Sequence, residues 1–226
     1  MNDKELVANA ALDYVKDKMI VGLGTGTTAN YFIDALAKKI KSEKLTISVV
    51  ASSTVSQERG NQAGINYISI DQVESIDLYV DGADEITEGL VLLKGRGYDL
   101  IKEKLLAASS KKFIVIGDKS KIVAKIGEKF SIPIEITPIA WKITKRIFEK
   151  MSEECILRQN TAGDAYAITS YGNLVLDCRF KYDDIHELSK MISEVPGVFE
   201  HGIFLSLSDI AIIADNGKIR TITTNC

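Results

Sequence analysis

The sequence predicts an α/β fold: an open, mostly parallel sheet with helices on both faces, plus a smaller α+β domain. Three observations predict it. Up to residue 121, short apolar runs alternate with stretches of helical periodicity, the pattern of βαβ units. Loops of glycine, hydroxyl and acidic residues follow several of those runs, where parallel sheets bind ligands. Beyond Pro133 the order becomes β-α-β-β-α-β, a ferredoxin-like split unit.

Residues 4–17 place Leu6, Val7, Ala10, Ala11 and Tyr14 on one helical face, and residues 19–23 form a short strand. The loop Gly24-Thr25-Gly26-Thr27-Thr28-Ala29 follows. A helix then runs through Ile40 with Tyr31, Phe32, Leu36 and Ile40 inward. Strand, glycine–hydroxyl loop and helix together cradle phosphate, because backbone N–H groups and the helix dipole face the anion. Gly24-x-Gly26-x-x-Ala29 also matches the loose dinucleotide fingerprint, which needs an acidic residue about 20 positions on. The next strand, residues 45–50, ends in Ala51-Ser52-Ser53 with no carboxylate, and no Gly-Lys-Ser/Thr completes a Walker loop. A terminal phosphate on a small molecule fits best, against a nucleotide site or a purely structural turn.

Ser52-Ser53-Thr54 cap a helix to about residue 64, and their hydroxyls also sit at a strand's carboxyl end. Residues 67–68 form a brief strand, 71–73 a turn, and 76–80 a buried strand. That strand delivers Asp81-Gly82-Ala83-Asp84-Glu85, a motif readable as a turn with a capping acid or as one wall of a site. The apolar run 90–93 ends at Lys94, followed by Gly95-Arg96-Gly97 and a helix over 98–109. A lysine before a glycine loop brings a fixed cation against a ligand oxygen, or is a solvated strand-end residue. Glu103 lies beside the apolar rows of Leu100, Leu106 and Ala107. There it is a partly desolvated base, or a surface acid between Lys102 and Lys104. Residues 113–117 form another buried strand, with Lys121 beyond its tip.

In the second half, residues 134–136, 155–159, 174–180 and 198–201 read as strands. Residues 140–151, with Ala140, Ile143, Ile147 and Met151 inward, and 184–193 read as helices. Residues 209–214 and 218–221 form a hairpin through Asp215-Asn216-Gly217, expected to return to the first domain. The expected division is therefore 1–131 with 206–226 as the α/β catalytic domain. Residues 132–205 form the small domain, which closes the cleft or makes a subunit contact.

Bulk composition narrows the partners. The chain has 226 residues, 46% hydrophobic and 26% charged, enough to bury a core. A net charge of −3 argues against nucleic acid or a membrane surface as the main partner. Cys155, Cys178 and Cys226 are widely spaced without a CxxC and read as free thiols in a reducing compartment. His186 and His201 lack a nearby ligand pair, so no metal is expected. The charged start Met1-Asn2-Asp3-Lys4-Glu5 is no signal peptide, and no apolar run reaches the ~18 residues of a membrane span. A cytoplasmic location is expected.

The motifs together resemble the type A ribose-5-phosphate isomerase family. The resemblance rests on Gly22-Leu23-Gly24-Thr25-Gly26-Thr27-Thr28-Ala29, Val80-Asp81-Gly82-Ala83-Asp84-Glu85-Ile86, Lys94-Gly95 and Glu103-Lys104. It continues through Gly117-Asp118-Lys119-Ser120-Lys121, Gly172-Asn173, Pro196-Gly197-Val198 and His201-Gly202-Ile203-Phe204. It implies a Rossmann-like sheet and interconversion of ribose 5-phosphate and ribulose 5-phosphate through an enediolate. The reaction belongs to the non-oxidative pentose phosphate pathway. No metal or other cofactor is implied, and a homodimer or homotetramer is. By position, Glu103 is the base between C1 and C2, and Lys94 stabilises the oxyanion. Asp81 helps open the furanose ring, and Asp84 holds Lys94. Thr25, Gly26, Thr27 and Thr28, with Lys121 and Lys4, bind phosphate and nearby hydroxyls. Gly82, Ala83, Gly95, Arg96 and Gly97 complete the substrate wall. Arg96 and Asp99 depart from the family's all-glycine loop: Arg96 points inward, to substrate oxygens or Asp99, or outward to solvent. Asp99, four residues before Glu103, is placed to raise its proton affinity. The alternative is a non-catalytic sugar-phosphate binding or sensor module on the same scaffold.

Overall fold

A computed structural model describes residues 2–223; Met1 and the expected free thiol Cys226 lie outside the described residues. The central sheet has seven strands. They are β1 (Ile20–Leu23), β2 (Ser48–Ala51), β3 (Asn66–Tyr67), β4 (Leu78–Asp81), β7 (Phe113–Asp118), β13 (Ile210–Asp215) and β14 (Lys218–Thr223), in the order β14-β13-β7-β4-β1-β2-β3. Every neighbouring pair is parallel except the β13–β14 hairpin. Because β13 pairs with β7, the chain's last described strands rejoin the first sheet, as expected.

Side-chain alternation assigns the two faces. Leu78 and Val80 of β4 pack with Val21 and Leu23 of β1 against α1 (Asp3–Ala11) and α2 (Thr27–Glu43), through Val7, Phe32 and Leu36. Tyr79 points the other way and packs with Phe113, Leu100 and Leu106 of the layer containing α4 (Leu100–Ser109). Asp81, two residues on from Tyr79, shares that face. Helix α3 (Thr54–Gln62) begins at Ser53, whose side chain accepts from the Ser56 N–H, so the expected serine cap is present.

The run 90–93 does not extend the parallel sheet. Only Leu92–Leu93 (β6) is strand, held between β5 (Glu85–Ile86) and β12 (Ile203–Phe204) in a small antiparallel sheet. Lys94 N–H then donates to Gly202 O at 2.9 Å, so the residue just before β12 fixes the lysine's backbone.

A smaller antiparallel sheet contains β8 (Ile132–Ile136), β9 (Glu154–Leu157), β10 (Leu174–Arg179) and β11 (Val198–His201), in the order β11-β8-β10-β9. Numbered within the unit this is 4-1-3-2, the ferredoxin-like arrangement. Helices α5 (Trp141–Met151) and α6 (Ile185–Ser193) cover one face through Phe148, Leu188 and Ile192.

Two inward faces are corrected. Along α5 the buried stripe is Thr144 and Phe148, while Ile143 is 67% exposed and Ala140 is a left-handed cap. Tyr31 is exposed and accepts from Asn2 Nδ2 through its hydroxyl at 3.0 Å; Phe32, Ile33 and Leu36 fill the core there. Among the described residues, no helix is long and apolar enough to cross a membrane, and no group of three or more His, Cys, Asp or Glu residues is placed to hold a metal.

Candidate active site

The carboxyl ends of β1, β4 and β7 open into a cavity of about 420 Å³. Lys4, Thr25, Gly26, Thr27, Thr28, Gly82, Ala83, Asp84, Lys94, Gly95, Arg96, Gly97, Glu103 and Lys121 all line it. Of the residues the resemblance assigns to catalysis or substrate binding, Asp81 does not. A larger depression of about 870 Å³ lies beyond Lys4 and Thr27 but contains neither Lys94 nor Glu103. Lys94 and Glu103 both line the smaller one.

Asp81 is completely buried beneath the cavity floor. Its Oδ1 accepts from Thr25 N–H at 3.0 Å and Gly82 N–H at 2.7 Å. Its Oδ2 accepts from Tyr79 OH at 2.5 Å and Lys94 Nζ at 2.9 Å. One carboxylate thus ties the threonine loop to the lysine. This close approach explains two glycines. A Cβ on Gly24 would lie 2.1 Å from Asp81 Oδ1, and one on Gly22 would lie 2.7 Å from Tyr79 Cδ2. Gly24, the first glycine of the dinucleotide-like pattern, is therefore small because Asp81 at the end of β4 lies against it, whereas Gly26 has open space around it and a φ of +106° that favours glycine.

Lys94 Nζ also donates to Gly82 O at 2.8 Å and stands 3.3 Å from Glu103 Oε2. Both side chains are buried. Glu103 projects from the apolar face of α4 beside Leu100, Leu106 and Ala107, and its Oε2 accepts no hydrogen bond. Burial pushes its carboxyl up to about 7, opposed by Lys94 and assisted by Asp81 and Asp84. The surface-acid reading of Glu103 is thereby excluded. Lys94 is held above its usual range because Asp81 and Glu103 outweigh its desolvation. Neighbouring Lys104 donates to Glu200 Oε1 at 2.6 Å and His201 O at 2.7 Å, bracing α4 against β11.

Three expectations change. Lys94 is held by Asp81 and Gly82 O; Asp84 instead faces the cavity and pairs with Arg96 Nη1 at 4.0 Å. The reason is strand geometry: Asp81 ends β4 pointing into the α4 layer, whereas Asp84 follows on the rim. Desolvation raises the Asp84 carboxyl despite Lys94, Arg96 and Lys121 nearby. Arg96 is neither inward with Asp99 nor simply solvated. Its guanidinium stacks 3.9 Å from the Phe130 ring on the cavity rim, while Asp99 accepts from Ser170 Oγ at 2.5 Å. Thr25 is the third. Its hydroxyl is engaged by Ser52, Ser53 and Ser56 at 2.7, 2.8 and 3.1 Å, although the residue still lines the cavity beside Gly26, Thr27 and Thr28 at the start of α2. Lys4 Nζ reaches the same spot and donates to Thr27 Oγ1 at 2.8 Å.

Two supports were missed in the sequence. Arg158, just after β9, donates to Gly95 O at 3.0 Å and Gly97 O at 2.9 Å, and its guanidinium pairs with both oxygens of Asp177 at 2.8 and 2.5 Å. It clasps the loop after Lys94 to the small domain. Glu85, the last residue of the motif after β4, is completely buried. It accepts from the N–H groups of Gly127 and Lys129 at 2.6 Å and Phe130 at 2.8 Å. Phe130 is the ring under Arg96.

A polar cleft at the carboxyl edge of a parallel sheet, floored by a desolvated acid–base pair, places the molecule among α/β enzymes. The model of the family "Ribose 5-phosphate isomerase A (phosphoriboisomerase A)" matches residues 48–218. The chain is 38% identical over 212 residues to ribose-5-phosphate isomerase A of Thermococcus kodakarensis, covering 93% of each chain. It is 38% identical over 221 residues to that of Prochlorococcus marinus, covering 96% of this chain and 92% of the other. The structure of ribose 5-phosphate isomerase A from Methanocaldococcus jannaschii matches with a TM-score of 0.92 at 36% identity over 97% of both chains. A D-ribose-5-phosphate isomerase solved in complex with phospho-erythronic acid matches with a TM-score of 0.94 at 35% identity, over 99% of this chain and 100% of that one. The chain belongs to the ribose 5-phosphate isomerase A family.

Proposed function

We propose that the chain interconverts ribose 5-phosphate and ribulose 5-phosphate through an enediolate, using its own ionisable groups and no metal. The observation that carries this is the buried Lys94–Glu103 pair, 3.3 Å apart at the floor of a cavity whose far wall is the start of α2. Proton transfer next to a carbonyl needs a base, an electrophile and a tether for the unreacting end. Glu103 takes the proton from C2 and returns it at C1. Lys94 stabilises the negative oxygen that develops meanwhile. The phosphate sits at the N-terminus of α2, whose cap Gly26 offers no competing side chain, with Lys4 and Lys121 beside it. Asp84, the carboxylate on the cavity wall, suits the hydroxyl proton of ring opening, while Asp81 positions Lys94 from behind.

Residues 132–205 act as the small domain and 1–131 with 206–226 as the catalytic one. Exposed Ile139, Ile143, Ile156, Ile168 and Phe199 support a subunit contact through the small domain, in a homodimer or homotetramer working in the cytoplasm. A pure sugar-phosphate sensor would have no use for a desolvated base, so turnover is the better reading. Direct assay of ribulose 5-phosphate formation tests it. Glu103→Gln abolishes interconversion while substrate still binds, and added chelator leaves the native rate unchanged. Near-native turnover by Glu103→Gln would sink the assignment.

A further inference from the structure

Cys155 and Cys178 stand 23 positions apart in the chain, yet β9 and β10 pair them directly across the ladder. Arg158 N–H donates to Val175 O at 2.9 Å, which sets the alternation of the ladder. Counting from that bond along the register, 156/177 is the next hydrogen-bonded pair, and Cys155–Cys178, one step beyond it, occupies a non-hydrogen-bonded position. There Cα atoms approach to about 4.5 Å, within the roughly 4.4–6.8 Å that a disulfide spans. Both cysteines are free, and Cys178 donates to Cys155 with their sulfurs 3.1 Å apart. Cys178 is sealed under α5, whereas Cys155 is only half-buried on β9, the edge strand of its sheet.

We propose that Cys155 and Cys178 are a dithiol modification site that a hydroperoxide closes to a cross-strand disulfide. The Cys155 thiolate attacks the peroxide oxygen. An S–O bond forms, the O–O bond breaks, and the leaving oxygen takes up a proton to depart as water or an alcohol. Cys178 sulfur then attacks the sulfenic sulfur of Cys155. The S–S bond forms, the S–O bond breaks, and hydroxide leaves as water with the Cys178 proton. The two thiols lose two electrons and two protons, and the peroxide gains them. The order follows from the pair itself. The hydrogen bond from Cys178 favours the Cys155 thiolate, with Lys145 assisting, and the same bond and burial keep Cys178 protonated. The bridge staples edge strand β9 to β10 beside the Arg158–Asp177 clasp.

The test uses hydrogen peroxide on the full chain carrying Cys226→Ser, so that this pair holds the only thiols. Peptide mapping by mass spectrometry without reductant is expected to show one peptide pair joined at 155 and 178, lighter by two hydrogens and released by dithiothreitol. Hydrogen exchange at β9 is expected to slow on oxidation. Adding Cys155→Ser is expected to leave Cys178 unmodified at the same dose, with the unchanged fold checked by circular dichroism. Accumulation of sulfinic acid at Cys155 without a cross-link overturns the proposal. So does equal oxidation of Cys178 when Cys155 is absent.

Discussion

Lys94 Nζ lies 3.3 Å from Glu103 Oε2 but spends its hydrogen bonds on Asp81 and the Gly82 carbonyl. The carboxylate is therefore compensated by charge without being capped by a donor. A base so placed keeps its proton affinity high and its oxygen free for a substrate C–H.

The first prediction is a pH dependence. With the Glu103 carboxyl pushed up to about 7, kcat/KM is expected to rise through that region as the base loses its proton. Glu103→Gln is expected to cost about 10²–10⁴-fold in kcat if general base catalysis is the whole loss. Stability moves the opposite way. Between 4.5 and about 7 the folded protein retains a proton that the unfolded chain releases, so the Glu103 contribution to stability falls as pH rises. Denaturant unfolding across that window should flatten in Glu103→Gln relative to the native chain.

Removing the cation is expected to damage both chemistry and fold. Lys94→Met loses oxyanion stabilisation, about 10²–10³-fold in kcat by analogy with other oxyanion donors. It also leaves Asp81 and Glu103 buried without their counter-charge, which costs about 3–5 kcal/mol when a buried pair is broken. Urea midpoints and steady-state rates, measured on the same preparation, separate the two losses.

Asp81 and Asp84 should fail differently. Asp81→Asn weakens the anchor of Lys94 and of the Thr25 N–H, so both stability and kcat are expected to drop. Asp84→Asn keeps stability within about 0.5–1 kcal/mol, since its partner Arg96 is half exposed and surface ion pairs contribute little. Its expected defect lies in turnover from the closed-ring sugar. If Asp81→Asn folds as well as the native chain and Asp84→Asn does not, the reading of the two carboxylates is reversed.

Arg158→Lys keeps the charge but loses the planar fork that meets Asp177 and the carbonyls of Gly95 and Gly97 together. Lys94 then loses its neighbouring support while its own contacts remain. A fall in kcat of about tenfold with little change in KM is expected for a displaced electrophile. An equal effect on thermal stability alone, with kcat intact, would reduce Arg158 to a structural tie.

Much of this was legible because it is local. Apolar runs followed by glycine and hydroxyl residues fixed β1, β4 and β7 and thereby the mouth of the cleft. Glu103 lay beside apolar rows but stayed between base and surface acid until the family resemblance assigned it. What was illegible depends on distant partners. Strands β5, β6 and β12 have two residues each, too few for a period, and exist because they find one another. Along α5, Ala140, Ile143, Ile147 and Met151 have the spacing of a core stripe, and Ile147 and Met151 do pack partly against the small-domain core, but the fully buried positions are Thr144 and Phe148 while Ile143 faces out. Arg158 reaches Gly95 across 63 positions, and no spacing rule links them. The exchange of roles between Asp81 and Asp84 turns on which way one side chain leaves a strand end.

Glu85 holds residues 127–130 entirely by main-chain N–H groups. Such an anchor is blind to side-chain identity. Lys129 can be exchanged for most residues without loosening its hold on Glu85, since every residue except proline presents the same N–H. Glu85 itself has no such latitude: glutamine would turn an amide NH₂ toward N–H groups that need an acceptor. Freedom to vary thus accumulates in the loop and is withdrawn from a single carboxylate beneath it. The rim of the cleft, where Phe130 supports Arg96, can be retuned through neighbouring side chains without rebuilding the backbone that presents it.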